Sequence, residues 1–347
     1  MNSMVDVLVI GGGVAGMEAA GQLARSGYSV ILAEKEPLTG GHLKNWYHLF
    51  PDRRDGNEVG EYLDNLVKNK NIEIRNNTCI TGITGRKGKF TATASDGQVV
   101  EAEAVIVATG FDLFDSRRKE EYGYGIYPNV ITSADLEKMF RNGSVKLADG
   151  GVPARIGFIH CVGSRDEKVG NLYCSKLCCI TAVKQAMEVH EKISGVKTFC
   201  FYMDMRMGGA YYEEIYREAQ EKYGVSFIRG KVSEVSQGYN GRLVIKAEDT
   251  LAGRPLRMEL DMVVLMAGME MSDAGEILAG KSSLRRGENR FFSTADNHTA
   301  SNRSNLKGVF YAGTCTAPMN ITESISHARA AVTEVVSYLR EKKQRDE

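Results

Sequence analysis

The sequence predicts an α/β protein with two Rossmann-type domains, the second of which is inserted into the first. Three observations lead to this prediction. A glycine-rich turn joins a buried strand to a helix just after residue 10, and a later strand ends in Ala108-Thr109-Gly110. A second series of alternating strands and helices then runs from 151 to 284.

The first element is the apolar strand Val5–Ile10, which leads into the sequence GGGVAG with its G-x-G-x-x-G spacing. In this spacing Gly11 makes the tight turn, Gly13 lets a pyrophosphate approach the backbone, and Gly16 packs the helix against the strand. The following strand ends at Glu34, which is placed to accept hydrogen bonds from an adenosine ribose. These features predict a dinucleotide site and leave FAD and NAD open; an accidental glycine turn is the weaker interpretation.

The first domain is predicted to be split between two parts of the chain. Gly40, Gly41 and His42 follow Glu34 closely, and the glycine pair there lets the backbone approach a ribityl–phosphate chain. Far downstream, a buried strand ends in Gly313-Thr314, and a long helix is expected from Glu323 to Arg340. Further strands of this domain are predicted at Asn71–Arg75, Ile80–Thr84, Lys89–Ala94, Ala102–Ala108 and Val309–Ala312. We therefore expect one domain from 1–115 and 285–347, with a connecting segment at 116–150.

The inserted domain, 151–284, looks like an internal duplication of the first. Its predicted strands are Arg155–Cys161, Val196–Met203, Val225–Gly230, Leu243–Ala247 and Met258–Met266, and its predicted helices are Tyr173–Lys192 and Tyr211–Tyr223. The turn after its first strand reads CVGSRD and lacks the glycine spacing of a phosphate cradle. We therefore expect that the chain does not bind NAD(P)H in the manner of disulfide reductases.

Four of the seven cysteines lie in one short stretch with the spacing C-x12-C-x3-C-C: Cys161, Cys174, Cys178 and Cys179. The first ends a strand, and the others are predicted to begin a helix, with Cys174 and Cys178 on one face and Cys179 roughly 100° away. Thiolates in this pattern favour an iron–sulfur cluster, whose separate irons accommodate neighbouring ligands. A structural zinc site, a redox dithiol and inert buried thiols are the alternatives.

Two residues near the cysteines have alternative roles. Lys184 lies on the same predicted helix, either as a solvated residue or pointing at a flavin, where it would favour anionic reduced forms. His160 is expected to bond a backbone carbonyl rather than a metal.

Composition excludes several classes of protein. Lys+Arg and Asp+Glu balance at 44 each, which gives no basic excess for nucleic acid or anionic membranes. No apolar segment is long enough to span a membrane. The first apolar run lacks the basic start of a signal peptide, and an odd number of cysteines fits a reducing cytoplasm.

With these motifs in place, the chain resembles the A subunits of heterodisulfide reductases, in the short form found in the heterodisulfide-reductase-like complex of sulfur-oxidising bacteria. The resemblance covers nearly the whole chain, and its most specific segments are Glu121–Ser133, Gly157–Glu167, Tyr173–Cys179, Gly224–Gly230 and Gly308–Ser324. It implies a thioredoxin-reductase-like fold, FAD in the first domain, and one 4Fe–4S cluster on Cys161, Cys174, Cys178 and Cys179. It also implies a cytoplasmic homodimer within a larger complex.

The resemblance also extends the predicted FAD contacts to the residues that flank each motif. These contacts are Gly11, Gly13, Val14, Ala15, Gly16, Glu34, Lys35, Gly41, His42, Ala108, Thr109, Gly110, Gly313, Thr314, Asn320, Ile321, Thr322 and Glu323.

Three departures from the family pattern bear on function. The chain shows no ferredoxin-type cysteine run, and Met319 and Asn320 stand where a lysine and an aspartate are expected. Thr314 replaces an aspartate on the ribityl chain. The first two departures argue against electron bifurcation.

The sequence therefore predicts an electron-transfer subunit in sulfur oxidation. The alternatives are the A subunit of the quinone-interacting oxidoreductase of sulfate reducers, an NAD(P)H-dependent disulfide reductase that uses Cys178 and Cys179, and a scaffold that binds FAD and zinc.

Overall fold

The structure is a computed structural model that describes residues 4–86 and 88–346. The chain divides into two compact units. Unit 1 comprises the described residues of Met1–Lys44, Asn57–Asp112 and Glu270–Glu347, and unit 2 comprises Asn45–Gly56 and Leu113–Met269.

The described chain contains both β-strands and α-helices. The strands are β1 Val5–Ile10, β2 Val30–Ala33, β3 His48–Leu49, β4 Arg54–Asp55, β5 Ile72–Arg75, β6 Ile80–Arg86, β7 Lys89–Ala94, β8 Val99–Val107, β9 Phe111–Leu113, β10 Val130–Thr132, β11 Arg155–Val162, β12 Lys197–Tyr202, β13 Ser226–Arg229, β14 Val232–Gln237, β15 Leu243–Asp249, β16 Arg254–Leu260, β17 Met262–Ala267, β18 Met269–Met271 and β19 Val309–Tyr311. The α-helices are α1 Val14–Arg25, α2 Gly56–Val67, α3 Ser133–Arg141, α4 Cys178–Lys192, α5 Tyr212–Glu221, α6 Asp273–Lys281 and α7 Ile321–Asp346.

Unit 1 is built on a seven-stranded sheet in the order β5-β2-β1-β8-β7-β6, with β19 also paired to β8. Strand β1 lies at its centre, parallel to both β2 and β8. Val7, Leu8 and Val9 are fully buried, as expected for a parallel strand that is covered on both faces. The first residues of β8 pair antiparallel with β7, so one long strand joins the parallel and antiparallel parts.

Unit 2 repeats this topology. Its parallel sheet has the order β10-β17-β11-β12-β13, which corresponds strand for strand to β19-β8-β1-β2-β5 of unit 1, and β14, β15 and β16 form a separate antiparallel sheet. This shared strand order agrees with the predicted internal duplication, although β10 precedes the other strands of its sheet in the chain and β19 follows those of its own.

The predicted strand Met258–Met266 is wrong in one respect, because it is two strands that meet at Asp261. The carboxylate of Asp261 accepts the N–H groups of Ala154 and Arg155 at 2.9 and 2.8 Å, which turns the chain out of the ladder at this point.

The boundaries of the two units differ from the predicted domains in three places. Residues 45–56 belong to unit 2, although the surrounding sequence belongs to unit 1, and the chain returns to unit 1 at Glu270 rather than near 285. The predicted connecting segment supplies β10 and α3 to unit 2. Helix α3 begins with a capping box, in which Thr132 and Asp135 bond each other's backbone N–H groups.

Candidate functional site

The glycine loop, residues 11–16 between β1 and α1, has a conformation that side chains would disrupt. Gly11 has a φ of +106°, and a Cβ there would lie 2.3 Å from the carbonyl oxygen of Ala108. A Cβ on Gly16 would lie 1.8 Å from the carbonyl oxygen of Gly11. Only glycine therefore lets α1 approach β1 and β8 this closely.

A cradle for a phosphate lies where the glycine loop enters α1. Gly13 is the residue before the helix, and a Cβ built on it would meet Gly41 Cα at 4.0 Å and no nearer described atom. The first helical residue is Val14, and the unpaired N–H groups of this first turn attract anions. Next to Gly41, the ring of His42 stacks on Phe111 with 4.5 Å between the ring centres.

Glu34 is buried and bonds the glycine loop directly. The Gly12 N–H donates to Glu34 Oε2 at 2.6 Å, and the Glu36 N–H donates to Oε1 at 2.8 Å. The sequence predicted a ribose contact for Glu34 but not this bond, which fixes the loop to the end of β2. Lys35 is exposed and lies 3.9 Å from Glu36.

A second turn, Gly313–Cys315 after β19, packs against the first turn of α1; we call it the Gly313 turn. Gly313 has a φ of +73°, and a Cβ there would lie 2.5 Å from Ala15 Cβ. A Cβ on Gly110 would lie 3.9 Å from Thr314 Oγ1. The hydroxyl of Thr109 is buried and has no hydrogen-bond partner among the described residues. The structure thus brings together predicted contacts that are widely separated in sequence.

Helix α7 starts at Ile321 with a reciprocal cap. The Asn320 N–H donates to Glu323 Oε2 at 3.0 Å, and the Glu323 N–H donates to Asn320 Oδ1 at 2.8 Å. Thr322, also in this first turn, is exposed.

These features of unit 1 fit FAD. The glycine cradle suits a pyrophosphate, and the buried Glu34 carboxylate suits a hydroxyl donor.

The four cysteines of unit 2 lie on different kinds of backbone. Cys161 is the last residue but one of β11 and has a φ of +59°, and Cys178 and Cys179 are the first two residues of α4. Cys174 precedes the helix in an irregular segment, so the prediction that Cys174 and Cys178 share a helical face is wrong. The positive φ of Lys176, +62°, explains this, because a helix cannot pass through it.

Backbone N–H groups point at two of the sulfurs. Lys176 N–H donates to Cys174 Sγ at 3.2 Å, and Arg206 N–H donates to Cys179 Sγ at 3.5 Å. Hydrogen bonds of this kind stabilise thiolates and help to set the potential of a bound cluster.

Burial and the neighbouring thiols raise the pKa values of three of the four cysteines. Burial raises the pKa of Cys161 to about 12, and Cys179 and Cys174 add to the rise. Burial, with Cys161, Cys179 and Cys174, raises the pKa of Cys178 well above its ordinary value. Burial also raises the pKa of Cys179, although the hydrogen bond from the Arg206 N–H acts in the opposite direction. Free thiols in this state are poor nucleophiles, which does not fit a redox dithiol.

Four thiols, two of them with backbone N–H donors, suit a cluster that binds each thiolate to a different iron. Within 4–86 and 88–346, no three His, Cys, Asp or Glu side chains are placed to hold a single metal ion.

In the turn of unit 2 that corresponds to the glycine loop, the ring of Phe114 occupies the space beside the first residue. A Cβ on Gly163, the first residue after β11, would lie 2.0 Å from the ring of Phe114. Residues 163–177 separate β11 from α4, whereas residues 11–13 separate β1 from α1. The longer segment holds Cys174 in place of a phosphate turn.

Lys184 is buried in unit 2 at the centre of an ion-pair network that we call the Lys184 network: Lys184, Glu137, Glu188, Gln185 and His48. Its Nζ lies 2.6 Å from Glu137 Oε1 and 3.4 Å from Glu188 Oε2, and donates to the carbonyl oxygen of His48 at 2.8 Å. The expectation of a solvated lysine is wrong, and a position beside the flavin stays a prediction.

His160 is buried next to Cys161, and neither ring nitrogen has a partner among the described residues. The expected bond to a backbone carbonyl is therefore wrong. Burial lowers the pKa of His160 to about 4. With Cys161, Arg165 and Met203 it lines a cavity of about 10 Å³, which is enough for one water molecule.

Comparison with known proteins agrees with the fold of the chain and with FAD as the cofactor of unit 1. Residues 6–46 match the family described as "FAD binding domain". The thioredoxin reductase of Lactococcus lactis superposes with a TM-score of 0.69 at 18% identity, covering 97% of this chain and 99% of that one. The chain therefore has the two-domain fold of thioredoxin reductase-like flavoproteins.

Sequence relatives decide the family. The A subunit of the ferredoxin:CoB–CoM heterodisulfide reductase of Methanosarcina mazei is 33% identical, over 96% of this chain and 53% of that protein. One of the iron–sulfur A subunits of the CoB–CoM heterodisulfide reductase of Methanopyrus kandleri is 31% identical, over 96% and 64%. The chain belongs to the family of heterodisulfide reductase A subunits. It spans about half to two thirds of the length of these two relatives. None of the described helices is long and apolar enough to cross a membrane.

Proposed function

We propose that this chain is an electron-transfer subunit that binds FAD in unit 1 and a 4Fe–4S cluster in unit 2, within a heterodisulfide-reductase-like complex of sulfur oxidation. Electrons derived from sulfur compounds would reach it from a partner subunit. The flavin would exchange them in steps of one or two. The rest of the proposal is a cytoplasmic homodimer bound to other subunits of the complex.

The observation that carries this proposal is the pairing of two cofactor sites with different chemistry in two units of the same topology. Unit 1 keeps the glycine cradle, and unit 2 has in its place the four cysteines at the end of β11, before α4 and at the start of α4. The turn after β11 lacks the glycine spacing of the pyrophosphate site that hydride transfer from NAD(P)H would require there, and Phe114 covers Gly163. In this proposal Cys161, Cys174, Cys178 and Cys179 hold the cluster.

The proposal includes electron transfer without bifurcation. Met319 and Asn320 are neutral and immediately precede α7, whose positive N-terminus would face the reduced flavin. Without a fixed lysine and aspartate there, the one-electron states of the flavin are expected to be less separated in energy. A flavin semiquinone that accumulates would fit this expectation.

The test is to purify the protein under anaerobic conditions, measure flavin, iron and sulfide, and titrate it with a reductant while recording visible and paramagnetic-resonance spectra. We expect one FAD, about four irons per chain and a paramagnetic signal on reduction. Protein that binds FAD but contains no iron, and gives no such signal, would overturn the cluster assignment.

Two further results separate the alternatives. Rapid bleaching of the flavin by NAD(P)H alone would support a disulfide reductase. Stoichiometric zinc with no iron, together with unchanged activity of the complex after Cys174→Ala, would support a scaffold.

A further inference from the structure

His327, a residue of α7 that no motif includes, bonds the Gly313 turn from behind. The Gly313 N–H donates to His327 Nδ1 at 2.9 Å. This N–H belongs to a residue that has just left strand β19, so it has no partner in the sheet. A buried N–H group that loses its acceptor costs free energy comparable to a hydrogen bond.

Other bonds also hold the Gly313 turn, among them Phe292 N–H to the carbonyl oxygen of Cys315 at 3.0 Å and Cys315 Sγ to the carbonyl oxygen of Val107 at 3.2 Å, but none of them engages the Gly313 N–H. Thr316 Oγ1 donates to the carbonyl oxygen of Gly313 at 3.3 Å. The amide of Asn302 donates to the carbonyl oxygens of Tyr311 and His327 at 2.9 and 3.0 Å, which fixes the strand end against α7. The bond to His327 is therefore the one that sets the direction of the Gly313 N–H.

We propose that His327 is a positioning residue of the FAD site: as a neutral imidazole it accepts the Gly313 N–H and holds the Gly313 turn against Ala15, where Gly313 and Thr314 face the cofactor. This inference rests on the proposed FAD site in unit 1. It adds a residue that acts through the turn and does not itself contact FAD.

The tautomer follows from the bond to Gly313. Nδ1 accepts from Gly313, so the proton of the neutral ring is on Nε2. Protonation would place a second N–H on Nδ1, facing the Gly313 N–H. The bond would be lost and the turn would be free to move.

The charged groups on the surrounding elements do not offset the loss of this bond when His327 is protonated. Burial lowers the pKa of His327 below its ordinary 6.5, and the bond to Ser301 opposes the change. Ionisable groups on α1, β19, the Gly313 turn, residues 301–304 and α7 include Glu18, Tyr311, Cys315, Arg303, Glu323, Arg329 and Glu334. Glu18 bonds Arg329 at 2.6 Å, and Glu334 bonds Arg303 at 2.8 Å. Tyr311 and Cys315 are neutral at physiological pH because burial raises the pKa of both.

The sign of the pH dependence follows. Because the pKa of His327 is lowered in the folded protein, the contribution of the neutral ring is complete above pH 6.5 and is lost as the pH falls through the lowered value. FAD affinity should therefore be constant near neutral pH and decrease as the pH falls through the lowered pKa of His327.

The test compares two variants of the full chain. His327→Phe keeps a ring but removes the acceptor, and we expect an FAD Kd about tenfold larger at about pH 7.5. His327→Asn keeps an acceptor at the position of Nδ1 but cannot be protonated. We expect near-normal affinity and a flatter pH profile than that of the native protein. FAD binding is followed by flavin fluorescence, with circular dichroism to confirm folding.

The outcomes distinguish this inference from the proposal on which it rests. A native protein that binds no FAD would overturn the proposed function. A native protein that binds FAD, with the same pH profile as His327→Asn, would overturn the role of His327 alone. If His327→Phe fails to fold, the pH profiles of FAD binding by the native protein and by His327→Asn still test the role of His327.

Discussion

Replacing Lys184 with methionine should destabilise unit 2 strongly, because the change removes the only ammonium group of the Lys184 network. The side chains of Lys184, Glu137 and Glu188 are 3%, 2% and 1% exposed. Removing one partner of a buried pair costs about 3–5 kcal/mol, since it leaves uncompensated charge. Glu137 keeps two donors, the Gln185 amide at 2.8 Å and the Tyr47 N–H at 2.7 Å, so we expect the lower end of this range.

The assay is urea unfolding followed by tryptophan fluorescence. The single tryptophan is Trp46, which lies in the segment 45–56 that Lys184 holds through the carbonyl of His48. A loss of about 3 kcal/mol with a slope of about 2 kcal/mol per molar urea lowers the midpoint by about 1.5 M. The double variant Lys184→Met with Glu137→Gln should recover part of the loss.

The matched control is Lys138→Met. Lys138 is 63% exposed and lies 3.5 Å from Asp135 on the same helix as Glu137. An exposed pair of this kind contributes about 0–1 kcal/mol. Equal midpoints for the two single variants would refute the role of the network. A changed flavin potential with unchanged stability would instead support the prediction that Lys184 lies beside the flavin.

Two further predictions test the cofactor sites. Gly16→Ala should abolish FAD binding and destabilise the protein, because its Cβ would lie 1.8 Å from the Gly11 carbonyl oxygen. The control is Gly60→Ala on α2, where a Cβ meets nothing within 4 Å; it should raise the free energy of unfolding by up to about 1 kcal/mol, measured by thermal unfolding. Cys178→Ser should lower the iron content of anaerobically purified protein well below that of the native chain while FAD stays bound, and Cys79→Ser should leave both unchanged; equal iron in the two variants would contradict the ligand assignment.

Much of the FAD site could be predicted because its residue types have local causes. Gly11 and Gly16 are required by contacts with backbone a few residues away or on the adjacent strand, and the spacing alone signals these contacts. Glu34 follows from its position at the end of the second strand. The bond from Glu34 to Gly12 was missed, although the extra glycine in GGG was a signal that a side chain would not fit there.

Helical periodicity failed at the cysteines for an equally local reason. The sequence from Tyr173 onward is compatible with a helix, but the chain adopts a positive φ at Lys176 and the helix starts only at Cys178. Residue types other than glycine give no signal for such a conformation, because its cost is offset by contacts made elsewhere in the fold.

By itself the sequence determined the two-unit α/β fold, the glycine cradle and the four cysteines, because strand periodicity, glycine spacing and cysteine spacing are properties of neighbouring residues. Only the tertiary structure decided that residues 45–56 join unit 2, that Lys184 is buried between Glu137 and Glu188, and that His327 bonds Gly313. Lys184 bonds a carbonyl that is 136 residues away in the chain, and no local pattern encodes such a partner. The type of a residue limits which bonds it can make, and the fold selects which of them form.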